Sequence, residues 1–269
     1  MFPFLNILGR TISVYGLLLV TAGSAAWLLA FGLAKIKKGA VQPLDASLAF
    51  LMGVCGGLVG SIILRPLMRL VGLIFVRPEG VFASVNALFS YLVGGFEVVF
   101  YGGLLGGLVA ILLYCRQYKV NFMSLLDLFA PAIALGHAIG RLGCYFAGCC
   151  YGMELPAGHP LAVIYPPVSL AAPAGVPLLA VPLLEAAFLA ALCVILVVLC
   201  LKANRPGLCF GVYLVAYSCW RFVIEFFRAD AIRGADGWLT TSQYISIALF
   251  VLGIIYFLCL RRLTKAKSV

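Results

Sequence analysis

Arg141, Arg221, Glu225 and Arg228 stand in stretches otherwise so apolar that each charge needs a reason. Tyr217, Arg221 and Glu225 recur every four residues, which on a helix makes one polar stripe, and Arg228 follows within a turn. An ionisable group at membrane depth is costly and usually pairs with another or faces a polar cavity. Arg221 has Glu225 as a neighbour on its own helix. Arg141 and Arg228 have no obvious partner nearby in sequence, so they are expected to meet an anion. The anion available in a bilayer is a phospholipid phosphate, and the planar guanidinium fork suits its oxygens bidentately. Paired guanidinium groups would also stabilise the charge that develops when a phosphate ester departs. The plainer alternative is an internal salt-bridge network that orients helices, and this is the reading preferred for Asp127 and Glu185. Tyr15, Tyr101 and Tyr217 add aromatic hydroxyls to the same set. His137 lies four residues before Arg141, on the same helical face, as packing or as a base.

Directly after Arg141 comes Cys144-x4-Cys149-Cys150-Tyr151-Gly152. Thiols beside a buried cation favour the thiolate, which could act as nucleophile or base. A disulfide is a second possibility, with Cys144 the better partner because adjacent Cys149 and Cys150 would pair under strain. A soft-metal site with His137 or His159 as fourth ligand is a third, although the spacing is not that of a zinc knuckle. The fourth is small residues filling a tight turn. No metal or other cofactor is expected. The remaining cysteines (Cys55, Cys115, Cys193, Cys200, Cys209, Cys219 and Cys259) sit in or beside apolar runs and read as small hydrophobes.

These residues need apolar helices to position them. Of the 269 residues, 64% are hydrophobic and only 10% charged, with a mean hydropathy of +1.14. A soluble domain carries about 25% charged residues, so the chain could not cover its own surface in water. Runs long enough to cross a hydrocarbon core of about 30 Å are expected at 11–33, 44–64, 98–114, 125–141, 177–200, 207–227 and 242–260. The first is too long for a signal-peptide core and has no small-residue cleavage site, so it reads as retained. The fold class is therefore all-α integral membrane, about seven spans in a single domain over 1–269. A small, Gly- and Pro-rich extracytoplasmic cap is expected at 144–176. Residues 65–97 are amphipathic and read as an interfacial or re-entrant helix. The glycine pairs 56–57, 94–95, 102–103 and 106–107 read as close helix packing.

The formal net charge of +10 does not point to nucleic acid. Lys35, Lys37, Lys38, Lys119, Lys202, Lys265 and Lys267 all fall on one side of a seven-span topology. That is the positive-inside pattern, with the N-terminus outside and the C-terminus in the cytoplasm.

Tyr217-x3-Arg221-Phe222-x2-Glu225-Phe226-x-Arg228 resembles the late-helix motif of the prolipoprotein diacylglyceryl transferase family. Asp127-Leu128-Phe129-Ala130-Pro131, then Gly140-Arg141-Leu142-Gly143 and Tyr151-Gly152, resembles the family's central signature. Tyr15-Gly16, Gly102-Gly103-Leu104-Leu105-Gly106 and Ser242-Gln243 match lesser landmarks, in order over nearly the whole chain. The resemblance implies a multi-pass enzyme of the bacterial inner membrane. It would move the diacylglyceryl group of phosphatidylglycerol onto the thiol of a lipobox cysteine, with the prolipoprotein signal peptide as partner. Arg141 and Arg221 would hold the lipid phosphate, oriented by Glu225 and Tyr217, and Tyr15, His137 and Gly152 would help to bind substrate. Cys144, Cys149 and Tyr101 stand where the family has asparagine, glutamate and histidine respectively. They complete the catalytic candidates with Arg141, Arg221 and Glu225, although tyrosine, with a pKa near about 10, is a poor base. The Gln-Leu-Tyr-Glu element of the family survives as Pro182-Leu183-Leu184-Glu185. Phosphate-gripping positions are kept and acceptor-activating positions are changed, which implies a divergent paralogue with its acceptor open. A lipid transporter or a non-catalytic lipid binder would use the same arginines and would not need the cysteines.

Overall fold

The computed structural model describes residues 3–7, 10–37, 39, 41–75, 84–86, 91, 100–203, 205–229 and 238–266. They fall into two compact units, one of residues 1–38 and 123–269, the other of 39–122. The first unit opens with a hairpin of β1 (Phe4–Ile7) and β2 (Arg10–Ser13), which runs into α1 (Val14–Ile36). It continues with α4 (Phe122–Ala147), α5 (Val181–Lys202), α6 (Leu208–Ile224) and α7 (Thr241–Ala266). Helix α6 tightens into a 3₁₀ turn at Glu225–Phe227. The second unit pairs α2 (Pro43–Phe75) with α3 (Phe100–Tyr118).

Six helices among the described residues are long and apolar enough to cross a membrane. The expected span at 98–114 is the 19-residue α3. Leucine, isoleucine and valine point outward along these helices, with Val20, Ile62 and Val194 all more than 60% exposed. Lipid is as apolar as such side chains, so the outward residues cost nothing there. The protein is an all-α, multi-pass membrane protein.

Helix α4 is the most buried of these and organises the first unit. Every side chain from Leu125 to Ala132 is buried. Asp127, within that stretch, accepts the Gly207 N–H at 2.7 Å and the Phe210 N–H at 3.1 Å. Those are orphan donors of the α6 N-terminus, so a carboxylate on one helix caps another and complements its dipole. The role of Asp127 is thus structural, but as a helix cap and not as a member of the expected salt-bridge network. Tyr256 donates to the Gly207 carbonyl at 2.8 Å, and Lys37 to the Ala203 carbonyl at 3.0 Å, fixing the same α5–α6 turn.

Several boundaries differ from the expected ones: residues 11–13 and 177–179 are strand, and the last helix runs to Ala266. The span expected to stop at Arg141 continues to Ala147, so Cys144 lies on the last turns of α4 and the cap starts after it. The second span continues through Pro66 to Phe75, taking the start of the amphipathic 65–97 segment into α2. Most of the remainder, with the interfacial helix expected there, lies outside the described residues.

In the second unit the glycines perform the packing expected of them, except 94–95, which lie outside the described residues. A Cβ on Gly56 or Gly60 would run into the backbone of Gly102 and Gly106, and a Cβ on Gly106 into the Gly56 carbonyl. Helices α2 and α3 therefore approach backbone to backbone.

The cap contains one short antiparallel pair, β3 (Ala162–Ile164) with β4 (Pro177–Leu179), over a core of Tyr165, Ala172 and Leu178. Residues 151–153 are threaded between this pair and the end of α6. Gly152 N–H donates to Leu179 O at 3.0 Å, and Met153 N–H to Phe227 O at 2.9 Å. A Cβ on Gly152 would lie 2.7 Å from Val181 Cγ2 and 2.8 Å from Phe227 O, so no side chain fits there.

Candidate active site

Four helices of the first unit bring polar groups to one place. From α4, Arg141 Nη2 meets Glu185 Oε1 of α5 at 2.9 Å, and His137 Nε2 stands 3.9 Å from the same oxygen. From α6, the Tyr217 hydroxyl donates to Glu185 Oε1 at 3.3 Å, and its ring meets that of His137 edge-on, centroids 5.0 Å apart. One turn on, Arg221 Nη1 lies 2.9 Å from Glu225 Oε2, and Arg228 Nε lies 3.9 Å from that oxygen. From the start of α7, Ser242 Oγ accepts the Arg221 Nη2 proton at 2.9 Å, and Thr240 donates to Glu225 Oε1 at 3.0 Å.

The expectation that Arg141 and Arg228 lack protein partners is corrected here. Glu185 answers Arg141 from another helix, and Glu225 serves both Arg221 and Arg228. The salt-bridge reading of Glu185 is met, since it is wholly buried at the centre of the network. Arg141 is thus matched by Glu185, while Arg221 and Arg228 share Glu225. Arg141 Nε and Glu185 Oε2 are buried and make no hydrogen bond. Buried polar atoms in folded proteins nearly always have partners, so this network has hydrogen-bonding capacity left over.

The cysteines lie beside it. The sulfurs of Cys144, Cys149 and Cys150 all lie within 4.8 Å of one another and none is in a disulfide. Helix α4 ends at Gly148 (φ 69°), and Cys150 takes a left-handed backbone (φ 58°) that turns its sulfur back toward the other two. The N–H of Cys149 donates to the Cys144 carbonyl at 3.1 Å, which closes the helix end. Hydrogen bonding with Cys144 and Cys149 holds the Cys150 thiol well below the ordinary thiol range, helped by Arg228 and Arg141 against the effect of burial. Hydrogen bonding with Cys144 and Cys150, with burial, pushes the Cys149 thiol up. The Tyr15 ring packs on Gly143, within electrostatic range of all three sulfurs and of Arg141.

With this geometry in view, the comparison with known proteins is decisive. The family model for prolipoprotein diacylglyceryl transferase matches residues 3–259. Phosphatidylglycerol–prolipoprotein diacylglyceryl transferase 2 of Clostridium perfringens is 36% identical over 209 residues, 78% of this chain and 76% of that protein. The chain belongs to the prolipoprotein diacylglyceryl transferase family. The phosphatidylglycerol–prolipoprotein diacylglyceryl transferase of Clostridium tetani is 32% identical over 207 residues, 77% of each chain. That of Acinetobacter baumannii is 28% identical over 252 residues, 89% of this chain and 85% of the other.

In this family member the structure gathers Arg141, His137, Tyr217, Arg221 and Glu225 into one network, with Tyr15, Cys144 and Cys149 beside it. Gly152 reaches the edge of the group through its backbone, in a bridge to Arg228. Tyr101 lies in the other unit, and its side chain is outside the described residues. Sequence reasoning missed Thr240, took Ser242 only as a landmark, and left Glu185, Arg228 and Cys150 outside the catalytic and binding candidates. Thr240-x2-Gln243 carries a legible signal, the capping box. Gln243 N–H donates to Thr240 Oγ1 at 3.3 Å, and Thr240 N–H to Gln243 Oε1 at 3.0 Å. This cap presents Ser242 to Arg221 and Thr240 to Glu225.

Proposed function

We propose that the chain transfers the diacylglyceryl group of phosphatidylglycerol to the lipobox cysteine thiol of a prolipoprotein, in a bacterial inner membrane. The relatives' names supply this substrate pair. The carrying observation is that carboxylates hold two arginines, Arg141 and Arg221, at one buried site, with Arg141 Nε making no hydrogen bond. Arg141 and Arg221 bind the lipid phosphate, and Tyr217, Glu225 and Ser242 keep the two guanidinium groups aimed. When the thiolate of the acceptor attacks the glycerol carbon, the carbon–oxygen bond to phosphate breaks and its electron pair leaves with glycerol phosphate. The guanidinium groups stabilise that charge in a site of low dielectric, where such stabilisation is strongest. Tyr15 and His137 border the bound lipid. The signal peptide approaches from the side of the cap, which lies outside the cytoplasm, and the single membrane-embedded domain has its C-terminus inside.

The test is a reconstituted assay with phosphatidylglycerol and a lipobox peptide, followed by mass spectrometry. Thioether-linked peptide with matching glycerol phosphate release, both lost in Arg141→Ala, is the expected result. Glycerol phosphate without modified peptide would replace the acceptor. Bound lipid with neither product would replace the transferase by a transporter or a binder.

A further inference from the structure

We propose that Cys144, Cys149 and Cys150 form a three-thiolate site for a thiophilic divalent cation of the zinc class, with its fourth position open to the acceptor thiol. The inference rests on the transferase reading for the acceptor, but the metal site stands on the geometry of the cysteines.

All three sulfurs already lie within 4.8 Å of one another. Around a tetrahedral ion with zinc–sulfur bonds of about 2.3 Å they would stand about 3.8 Å apart, so a contraction of at most about 1 Å completes the set. The backbone is committed to this convergence. Cys144 is carried by α4, and the left-handed residue Cys150 folds the chain back over it. Residues 151–153 are then held by the Phe227 and Leu179 carbonyls. A β-carbon-bearing residue in the left-handed region is uncommon and costs conformational energy. Small residues merely filling a turn would not need that conformation at a cysteine.

The local charge agrees. Three thiolates around a divalent cation carry one net negative charge, which suits a site with two guanidinium groups beside it. Arg141 and Arg228 both lie within electrostatic range of the Cys150 sulfur. None of the three cysteines is fully buried, so the ion would be reachable. No fourth His, Cys, Asp or Glu among the described residues joins the group. Three protein ligands and one open position is the arrangement of catalytic rather than structural zinc.

The open position explains a chemical need. Transfer requires an acceptor thiolate, since the thiol is a poor nucleophile. A thiol that coordinates such a cation is deprotonated outright. The acceptor cysteine binds the ion and releases its proton to water. Its metal-held sulfur then uses a lone pair to form the bond to the glycerol carbon. The carbon–oxygen bond breaks toward the phosphate held by Arg141 and Arg221, and no redox change occurs. The thioether product binds the ion weakly and leaves.

The experiment uses the full chain in detergent, first without lipid, so that the metal result is independent of the transferase assay. Zinc-loaded protein is expected to retain one zinc per chain after gel filtration, and cobalt-loaded protein to show an intense thiolate-to-cobalt charge-transfer band. Zinc should shield Cys144, Cys149 and Cys150 from alkylation relative to the metal-free protein, mapped by mass spectrometry. Cys149→Ser is expected to lose stoichiometric zinc. Adding a lipobox peptide to the cobalt form should change the visible bands, and a peptide with serine for cysteine should not. Substoichiometric metal, no charge-transfer band, or alkylation of the three cysteines unaffected by zinc would overturn the site, with no appeal to how any variant folds. A disulfide between Cys144 and either neighbour that persists in reduced, zinc-treated protein would overturn it too. A cobalt spectrum indifferent to the peptide would overturn the open position.

Discussion

Glu185 on α5 holds Arg141 of α4 at 2.9 Å while accepting the Tyr217 hydroxyl of α6 on the same oxygen, so one buried carboxylate orients three helices. This carboxylate also competes with a lipid phosphate for Arg141. Glu185→Gln keeps the shape and a hydrogen-bond acceptor but removes the counter-charge of Arg141. The KM for phosphatidylglycerol should fall severalfold, while kcat falls roughly tenfold or more because Arg141 loses its charged anchor. Leaving Arg141 buried without its counter-charge should also lower stability by about 3 kcal/mol. Steady-state kinetics across lipid concentration, with thermal unfolding in detergent, measure both. A rise in KM would show that Glu185 does not compete with the lipid.

Arg221 is held between Glu225 and Ser242, one group on each side of its fork. Arg221→Lys keeps the charge but cannot reach both partners and a phosphate, and is expected to cost about 100-fold in kcat/KM. Ser242→Ala removes one hydrogen bond to a charged group and should cost about tenfold, with Arg221 still present. Equal losses in the two variants would mean that Ser242 touches substrate itself and is more than a positioning residue.

The polar stripe Tyr217, Arg221, Glu225 was legible in sequence because helical spacing alone places it on one face. The partner of Arg141 was not, because Glu185 is 44 positions away and only the packing of α4 on α5 brings them together. Assigning Arg141 to an anion was sound chemistry applied without its nearest anion. Asp127 was read as part of a salt-bridge network, and its capping role was invisible, since the donors belong to a helix 80 residues on. Cys144, Cys149 and Cys150 were visible as a group. Their convergence depends on the left-handed turn at Cys150, a conformation that no local pattern announces for cysteine.

Asp127 acts on α6 as a cap supplied from outside the helix. Asp127→Asn keeps one acceptor oxygen but turns an amide NH2 toward the other N–H, and should lose about 1 kcal/mol. Asp127→Ala orphans the Gly207 and Phe210 N–H groups and should lose about 2 kcal/mol. Unfolding in detergent separates the two, and the folded fraction of each should retain lipid binding. Loss of lipid binding by folded Asp127→Asn would give Asp127 a part in the site.

In the second unit, Gly106→Ala would place a methyl group against the Gly56 carbonyl and 2.8 Å from the Gly60 Cα. Backbone cannot yield there as a side chain would, so α2 and α3 must separate, at a cost of about 1–3 kcal/mol. Gly16→Ala, with nothing within 4 Å of the added carbon, is the matched control and should be neutral or mildly stabilising. Limited proteolysis of the two variants in membranes should show new cleavage within 39–122 for Gly106→Ala alone. Equal resistance would mean that the glycine contact does not hold the pair.

Thr240 joins helix stability to the site with one hydroxyl, accepting the Gln243 N–H at 3.3 Å and donating to Glu225 Oε1 at 3.0 Å. Thr240→Val keeps the shape and removes both bonds. Loss of the cap should cost about 1 kcal/mol. Loss of the donated bond frees Glu225 to swing toward Arg228, which weakens its hold on Arg221 and should lower kcat about tenfold with little change in KM. Thr240→Ser restores both bonds and should rescue activity and stability together. Rescue of stability without activity would mean that Glu225 is positioned by Arg221 and Arg228 alone, and that α7 supports the site only by being a helix.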